Sequence, residues 1–206
     1  ERDGDRGALR SQALDDPWFG PERPPVVLGV GRLVRQKRFE LLIDAFHRVR
    51  ERADARLMIL GEGPERDRLT QRVAALGLPD HVRMPGFERN PLRHMARAEV
   101  VVSTSRYEGL PAVLIQALAC DAKVVATDCP GGSADVLGHG AHGRLVRSDD
   151  VDDVARAVLT ALEEPRRPND PASWEPYTVD NAVNMYRRLI TDVATHSRRV
   201  THRTAP

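Results

Sequence analysis

Six short apolar runs, each set off by turns and separated by helix-patterned segments, constrain the fold of this chain more than any other feature. The runs lie at 26–30, 56–60, 82–84, 100–103, 123–126 and 144–146. Between them the apolar spacing changes. Phe39, Leu42, Ile43, Phe46 and Val49 recur at helical intervals, predicting an amphipathic helix over 39–52. Further helices are predicted over 65–76 (stopped by Gly77), 91–97, 112–120, from Ser133, up to 162, and over 180–195. Strand-like runs that are apolar throughout are covered on both faces, which calls for a parallel sheet between two helical layers. The expected fold class is therefore α/β, a Rossmann-like parallel sheet with helices on both faces and right-handed crossovers. Ligands of such open sheets bind beyond the carboxyl ends of the strands. That rule selects four loops, 31–38, 61–64, 85–90 and 104–111.

The organisation follows from the same pattern. Residues 1–25 are polar, carry Pro17, Pro21, Pro24 and Pro25, and read as a linker. Residues 26–165 form the folded domain. Residues 166–206 hold a Pro-rich connection, a last helix and a basic tail containing Arg198, Arg199 and Arg203. Because the chain starts at Glu1 rather than Met, it is expected to be a fragment or a processed form.

Composition narrows the partners. Aromatics make up 4% of the 206 residues, too few for a platform that stacks single-stranded bases. A net charge of +1 provides no field to draw DNA or a membrane, so no nucleic-acid partner is expected. No run approaches the roughly 18 apolar residues of a membrane span, and residues 1–20 do not resemble a signal peptide. Cys120 and Cys129 make no disulfide framework, and a cytoplasmic location is expected.

Two loops carry the chemistry. In Gly31-Arg32-Leu33-Val34-Arg35-Gln36-Lys37-Arg38, four cations cluster where a strand gives way to a helix. Arginine forks onto two phosphate oxygens and lysine supplies a point charge, so the loop can clamp a pyrophosphate; a solvated basic loop is the plain alternative. The sheet-edge position favours the clamp. In Tyr107-Glu108-Gly109-Leu110-Pro111, an acidic loop opens the helix over 112–120. Unpaired N–H groups at a helix start attract phosphate. Glu108 would repel that anion and is better suited to sugar hydroxyls, although an ordinary turn with a surface Glu has the same sequence. Gln116, in an otherwise apolar run, either reaches ribose hydroxyls or occupies the exposed stripe of its helix.

Other matches are set aside. Gly138-His139-Gly140-Ala141-His142-Gly143 has the dinucleotide-fingerprint spacing but precedes a strand instead of opening a helix. No phosphate-binding G-x-x-x-x-G-K-[ST] loop and no nucleophile elbow occur. His139 and His142 read as solvated loop residues and not as metal ligands. The acidic run 149–153 reads as a helix start.

Taken in register, the motifs resemble a known family. Gly31-Arg32-Leu33 with Lys37, Gly61-Glu62-Gly63-Pro64, Pro85-Gly86-Phe87, Glu108-Gly109-Leu110-Pro111, Ala117-Leu118-Ala119-Cys120 and the run Val124 to Gly132 fall in the order and spacing of retaining group 1 glycosyltransferases. The chain resembles the C-terminal, donor-binding half of their GT-B fold over about 26–163. That resemblance implies a UDP- or GDP-sugar donor, no cofactor and no required metal. It implies transfer of a hexose-type sugar to a glycan or lipid-linked acceptor, with peripheral contact at the inner face of the membrane through that acceptor. Arg32 and Lys37 match the diphosphate-binding pair, and Glu108 matches the first Glu of the E-x7-E motif, which contacts the donor sugar. The amides of Ala112 and Val113 match those that hold phosphate. The segment 85–88 matches the place of the base, and Gly31, Pro85, Gly86, Phe87, Gly109, Leu110, Pro111 and Gln116 complete the donor site. Three positions depart from the pattern: Gln116 replaces the second Glu, and Arg38 and Asp121 replace glycines. An N-terminal acceptor domain, in the same or another chain, is expected to complete the cleft, and this chain alone should bind donor but transfer little. A non-catalytic nucleotide-sugar-binding module serving a separate acceptor-domain partner is the alternative.

Overall fold

The computed structural model describes residues 14–20, 22–147 and 150–201, with side chains followed to residue 193. Six strands form one parallel sheet: β1 (Val26–Val30), β2 (Arg56–Leu60), β3 (Val82–Gly86), β4 (Val100–Ser103), β5 (Lys123–Asp128) and β6 (Arg144–Arg147). Their order is β3-β2-β1-β4-β5-β6, and β1 pairs with β2 from Val26 opposite Arg56 to Val30 opposite Leu60. The helices are α1 (Phe39–Arg50), α2 (Arg66–Ala75), α3 (Leu92–Met95), α4 (Ala112–Ala119), α5 (Ser133–Val136), α6 (Val151–Glu163) and α7 (Val179–Thr201). This is the Rossmann-like architecture that the alternating pattern predicts.

Both faces of the sheet are buried, because successive strand residues point to opposite sides. Val27, Leu57, Ile59 and Val102 pack with Phe39, Ile43 and Phe46 of α1 and Val154 and Val158 of α6. Leu28, Met58, Val101 and Ala126 pack on the other side with Met95, Leu114, Leu118 and Val136. Each fully buried side chain of this kind contributes about 1.5–3 kcal/mol. Trp18, in a short 3-10 turn at Pro17–Phe19, is buried in the second cluster, with the guanidinium carbons of Arg56 and Arg83 at 5.1 and 4.4 Å from its ring centroid.

Several elements end a residue or two from their expected bounds; β5 reaches Asp128 instead of 126 and β6 reaches Arg147 instead of 146. β3 runs past 84 through Pro85 and Gly86. It is an edge strand with a register shift opposite Met58 and Leu60, a place where proline's missing N–H breaks no ladder. The last helix is longer than 180–195. Among its described side chains, Val183, Tyr186, Leu189, Ile190 and Val193 are exposed in an apolar stripe. α6 is capped by Asp150, whose carboxylate accepts from the amides of Asp152 and Asp153; Asp149 lies outside the described residues. The connection before α7 is pinned to the domain. Arg166 donates to the carbonyls of Ala96, Ala98 and Cys120, and Asn169 donates to those of Leu118 and Ala122.

Candidate functional site

A strand order of 3-2-1-4-5-6 reverses direction between β1 and β4, and the crevice beyond that reversal is where such sheets take ligands. The loops after β1 and β4 are the two that carry the predicted cations and the predicted Glu. The structure joins them directly. Lys37 Nζ lies 2.5 Å from Glu108 Oε1, and both side chains are largely buried. The same oxygen accepts from the Ser105 hydroxyl at 2.6 Å. Two donors on one oxygen leave Oε2 available to a ligand. A lysine ammonium has three donors, so Lys37 can keep this pair and still reach a phosphate oxygen.

The brace beneath the pair is made of hydroxyls. The Thr104 hydroxyl lies 3.0 Å from the carbonyls of both Lys37 and Arg38, and the Thr127 hydroxyl donates to the Ser105 carbonyl at 2.7 Å. The Gln36 carbonyl accepts from the amide of Arg106 at 2.8 Å, and the Gln36 side-chain amide donates to the Tyr107 carbonyl at 2.8 Å. The Thr104 and Gln36 contacts cross more than sixty positions of sequence, and the Thr127 contact crosses 22.

The remaining loops lock onto this centre. Buried Leu33 anchors the first loop: its amide donates to Glu62 and its carbonyl accepts from Glu65, which leaves Arg32 exposed. Gly61 adopts φ +146° and donates to the Gly86 carbonyl at 2.7 Å. A Cβ on it would stand 1.9 Å from the Gly31 carbonyl oxygen. A fifth loop, 129–132, was not among the four selected from the strand pattern. The Pro130 carbonyl accepts from Glu108, and Gly132 donates to the Gly109 carbonyl. Gly131 has φ +117°, and a Cβ there would stand 1.6 Å from the Glu108 carbonyl oxygen. The signal for this loop was the Pro130-Gly131-Gly132 run after an apolar strand.

The other predicted residues spread over a more open surface. Arg32, Gly109, Leu110, Ala112 and Gln116 are exposed, and Phe87 is 78% exposed. Pro111 precedes α4 with no side-chain cap. The Ala112 amide is turned onto the Leu110 carbonyl at 2.9 Å, while the Val113 amide has no partner among the described residues. Of the two amides expected to hold phosphate, one is therefore free in this conformation. Gln116 has no side-chain hydrogen bond among the described residues and takes the exposed-stripe position.

Charge also shapes the third loop. Glu88 accepts from the Asn90 amide at 2.8 Å and from Arg93 at 3.0 Å, and the Asn90 bond, then Arg93, hold its carboxyl below the usual range. Burial holds His94 below its ordinary value, and Phe19 packs edge-on to its ring at 5.7 Å. Burial pushes the Cys120 thiol up to about 11, in keeping with an inert core cysteine. Arg38 and Asp121, the two residues in place of expected glycines, both adopt left-handed backbone, at φ +52° and +57°. The left-handed turns are kept although glycine is absent, at about 1–2 kcal/mol each. The described residues contain no group of three or more His, Cys, Asp or Glu placed around a metal. None of their helices is long and apolar enough to cross a membrane.

Sheet order, switch-point loops and glycine contacts together define a Rossmann-like α/β domain with a crevice at its switch point. The model of the family "Glycosyl transferases group 1" matches residues 12–178, and the chain belongs to that family. It is 37% identical over 157 residues to the N-acetylgalactosamine-N,N'-diacetylbacillosaminyl-diphospho-undecaprenol 4-alpha-N-acetylgalactosaminyltransferase of Campylobacter jejuni, covering 76% of this chain and 40% of that protein. It is 30% identical to the amylovoran biosynthesis glycosyltransferase AmsD of Erwinia amylovora over 149 residues, covering 72% of this chain and 42% of that one. The chain thus spans less than half the length of these relatives. The Anabaena Alr3699/HepE structure in complex with UDP-glucose superposes with a TM-score of 0.64 at 28% identity, over 78% of this chain and 43% of that chain.

Proposed function

We propose that this chain is the donor-binding half of a retaining glycosyltransferase, moving a hexose-type sugar from a UDP- or GDP-sugar to a glycan or lipid-linked acceptor. The observation that carries the reading is the convergence of Lys37 and Glu108 at the sheet's switch point, beside exposed Arg32 and the free Val113 amide. Cations and a helix start suit a diphosphate, and a carboxylate oxygen left open beside them suits a sugar hydroxyl. The UDP-glucose bound by the Anabaena neighbour is a molecule of that chemistry.

When the glycosidic bond breaks, negative charge grows on the leaving diphosphate. Arg32 and Lys37 stand where that charge would be neutralised, and a preorganised cation there lowers the barrier more than it tightens ground-state binding. Glu108 Oε2 orients the donor sugar. In the retaining, front-face course implied by the family, the leaving phosphate helps to deprotonate the acceptor on the same face. Charge neutralisation is assigned to side chains, with no cofactor or metal in the scheme, so chelation with EDTA should leave nucleotide affinity unchanged. The exposed face of the site calls for a second, acceptor-binding domain to exclude water, and closure of the two would complete the reaction centre. With a lipid-linked acceptor, the work would be done at the cytoplasmic side of a membrane.

Titration with UDP and GDP tests the reading. One of them should bind, and Arg32→Ala or Lys37→Ala should weaken it by about 1–3 kcal/mol. Binding of neither nucleotide would assign the chain to a class of interaction domains without a donor, and unchanged affinity in both variants would remove Arg32 and Lys37 from the site. The exposed, unpaired Gln116 also supports a second reading, a non-catalytic nucleotide-sugar-binding module working with a separate acceptor-domain chain. Supplying an acceptor-binding domain and assaying transfer separates the two: turnover supports the enzyme, and binding without turnover supports the module.

A further inference from the structure

Behind Glu108 the sheet ends in a chain of buried hydroxyls. Thr127, at the end of β5, is buried, and its hydroxyl donates to the Ser105 carbonyl at 2.7 Å. Ser105, two residues past the end of β4, is buried too, and its own hydroxyl donates to Glu108 Oε1 at 2.6 Å. The Ser103 hydroxyl stands 3.4 Å from that of Ser105, too far to compete for its proton. A bond of 2.6 Å has the length of a charge-assisted one between a hydroxyl and a carboxylate.

The two donors on Oε1 are not equivalent. Lys37 reaches it on a flexible four-carbon stem, and a diphosphate in the crevice would claim the same ammonium. Ser105 is short, and its backbone is tied to β5 through Thr127. The last torsion of a glutamate side chain is broad, so the carboxylate plane is set by whatever holds its oxygens. Oε2 has no partner among the described residues. When Lys37 turns toward a phosphate, Ser105 is the donor that stays.

We propose that Ser105 is a positioning residue for the donor sugar: its hydroxyl holds Oε1 and keeps Oε2 open to sugar hydroxyls while Lys37 serves the diphosphate. This inference rests on the donor reading and adds to it the residue that aims the carboxylate. It predicts that a nucleotide carrying a sugar depends on Ser105 more than the bare nucleotide does.

Calorimetric titration of the whole chain with UDP-glucose against UDP, and with GDP-mannose against GDP, tests this through the ratio of the two affinities. Ser105→Ala should lower that ratio by roughly tenfold. A merely structural role would weaken both ligands alike and leave the ratio where it was. Glu108→Gln should lower the ratio as well, and adding Ser105→Ala to it should lower it little further, because Ser105 acts through that carboxylate. An unchanged ratio in Ser105→Ala, or a loss as large in the Glu108→Gln background as in the parent, overturns the proposal. Failure of the donor reading has a different signature: no nucleotide binds, or Glu108→Gln itself leaves the ratio at the parent value, and the role of Ser105 falls with it. A ratio lowered by Glu108→Gln but not by Ser105→Ala removes Ser105 alone.

Discussion

The loops after β1 and β4 and the loop after β3 face the same edge of the sheet, but they are held in different ways. The central pair is fixed by long-range contacts: Arg106 to Gln36, Gln36 to Tyr107, Thr104 to Lys37 and Arg38, and the Lys37–Glu108 pair itself. The β3 loop is fixed by its neighbours in sequence, Glu88 with Asn90 and Arg93, on an edge strand, with Phe87 exposed. The contrast teaches where precision is needed. On the proposed donor reading, the packed centre would meet the diphosphate and the locally held edge loop would meet the base.

The most direct way to break the contrast is to remove the room that packing leaves at the centre. In Gly131→Ala the new methyl would meet the Glu108 carbonyl oxygen at 1.6 Å on a backbone at φ +117°. The expected cost is about 2–4 kcal/mol in stability from strain and displaced backbone. Nucleotide affinity should fall more than tenfold because Glu108 and the start of α4 shift together. Thermal melting and UDP titration measure both, and a variant that melts and binds like the parent would show that the centre is soft.

Next in size, the two cations of the β1 loop should part company. Lys37→Ala leaves Glu108 largely buried with only Ser105 as donor, so it should cost about 1–3 kcal/mol in stability as well as nucleotide affinity. Arg32→Ala removes an exposed side chain with no partner among the described residues, so it should weaken nucleotide binding and leave the melting temperature unchanged. Equal melting losses in the two variants would mean that the Lys37–Glu108 pair contributes nothing beyond the ligand.

These residues also mark how far the chain could be read before its structure was known. The central strands were legible because they are apolar on both faces, and Val26–Val30, Arg56–Leu60 and Val100–Ser103 fall at their expected bounds. Lys37 and Glu108 were legible as separate chemistries in separate loops. Their direct contact was not, since 71 positions separate them and no local pattern encodes the closure. The loop at 129–132 escaped the strand rule although its glycines are what admit Glu108 so closely. The left-handed turns at Arg38 and Asp121 were hidden because those residues rarely adopt that backbone, and only an expected glycine hinted at them. The end of β3 was misjudged at Pro85 because proline ordinarily stops a strand, except on an edge.

A smaller effect sharpens the ligand side of the centre. Gln116→Glu restores a carboxylate that accepts from two hydroxyls where the amide has one acceptor and one donor group. Because Gln116 is exposed and unpaired, stability should not change, and affinity for a ribonucleotide should rise by about 1 kcal/mol. UDP compared with its 2′-deoxy analogue checks the cause: the gain should vanish with the deoxy ligand.

The smallest effect probes the edge loop, and it depends on pH. His94 sits in α3 directly behind that loop, with its value lowered by burial; Glu88 opposes that shift, and Arg93 and Arg97 add to it. A group with a lowered folded value contributes fully above its ordinary value, here 6.5, and the contribution is lost as pH falls through the folded one. The unfolded chain takes the proton first, so stability should decline as pH drops below about 6.5. His94→Phe keeps a ring against Phe19 and removes the proton site, so its melting temperature should fall less between pH 7 and pH 5.5 than that of the parent. Glu88 has the same sign at lower pH: it is lowered chiefly by the Asn90 amide, so its contribution persists until pH falls below the ordinary carboxylate range. Glu88→Gln at neutral pH should therefore cost only a few tenths to about 1 kcal/mol, as a partly exposed ion pair does. Its effect should appear in nucleotide affinity rather than in melting. If Glu88→Gln instead lowered the melting temperature as much as Lys37→Ala, the edge loop would be as firmly built as the centre, and the division between a packed phosphate end and an adjustable base end would fail.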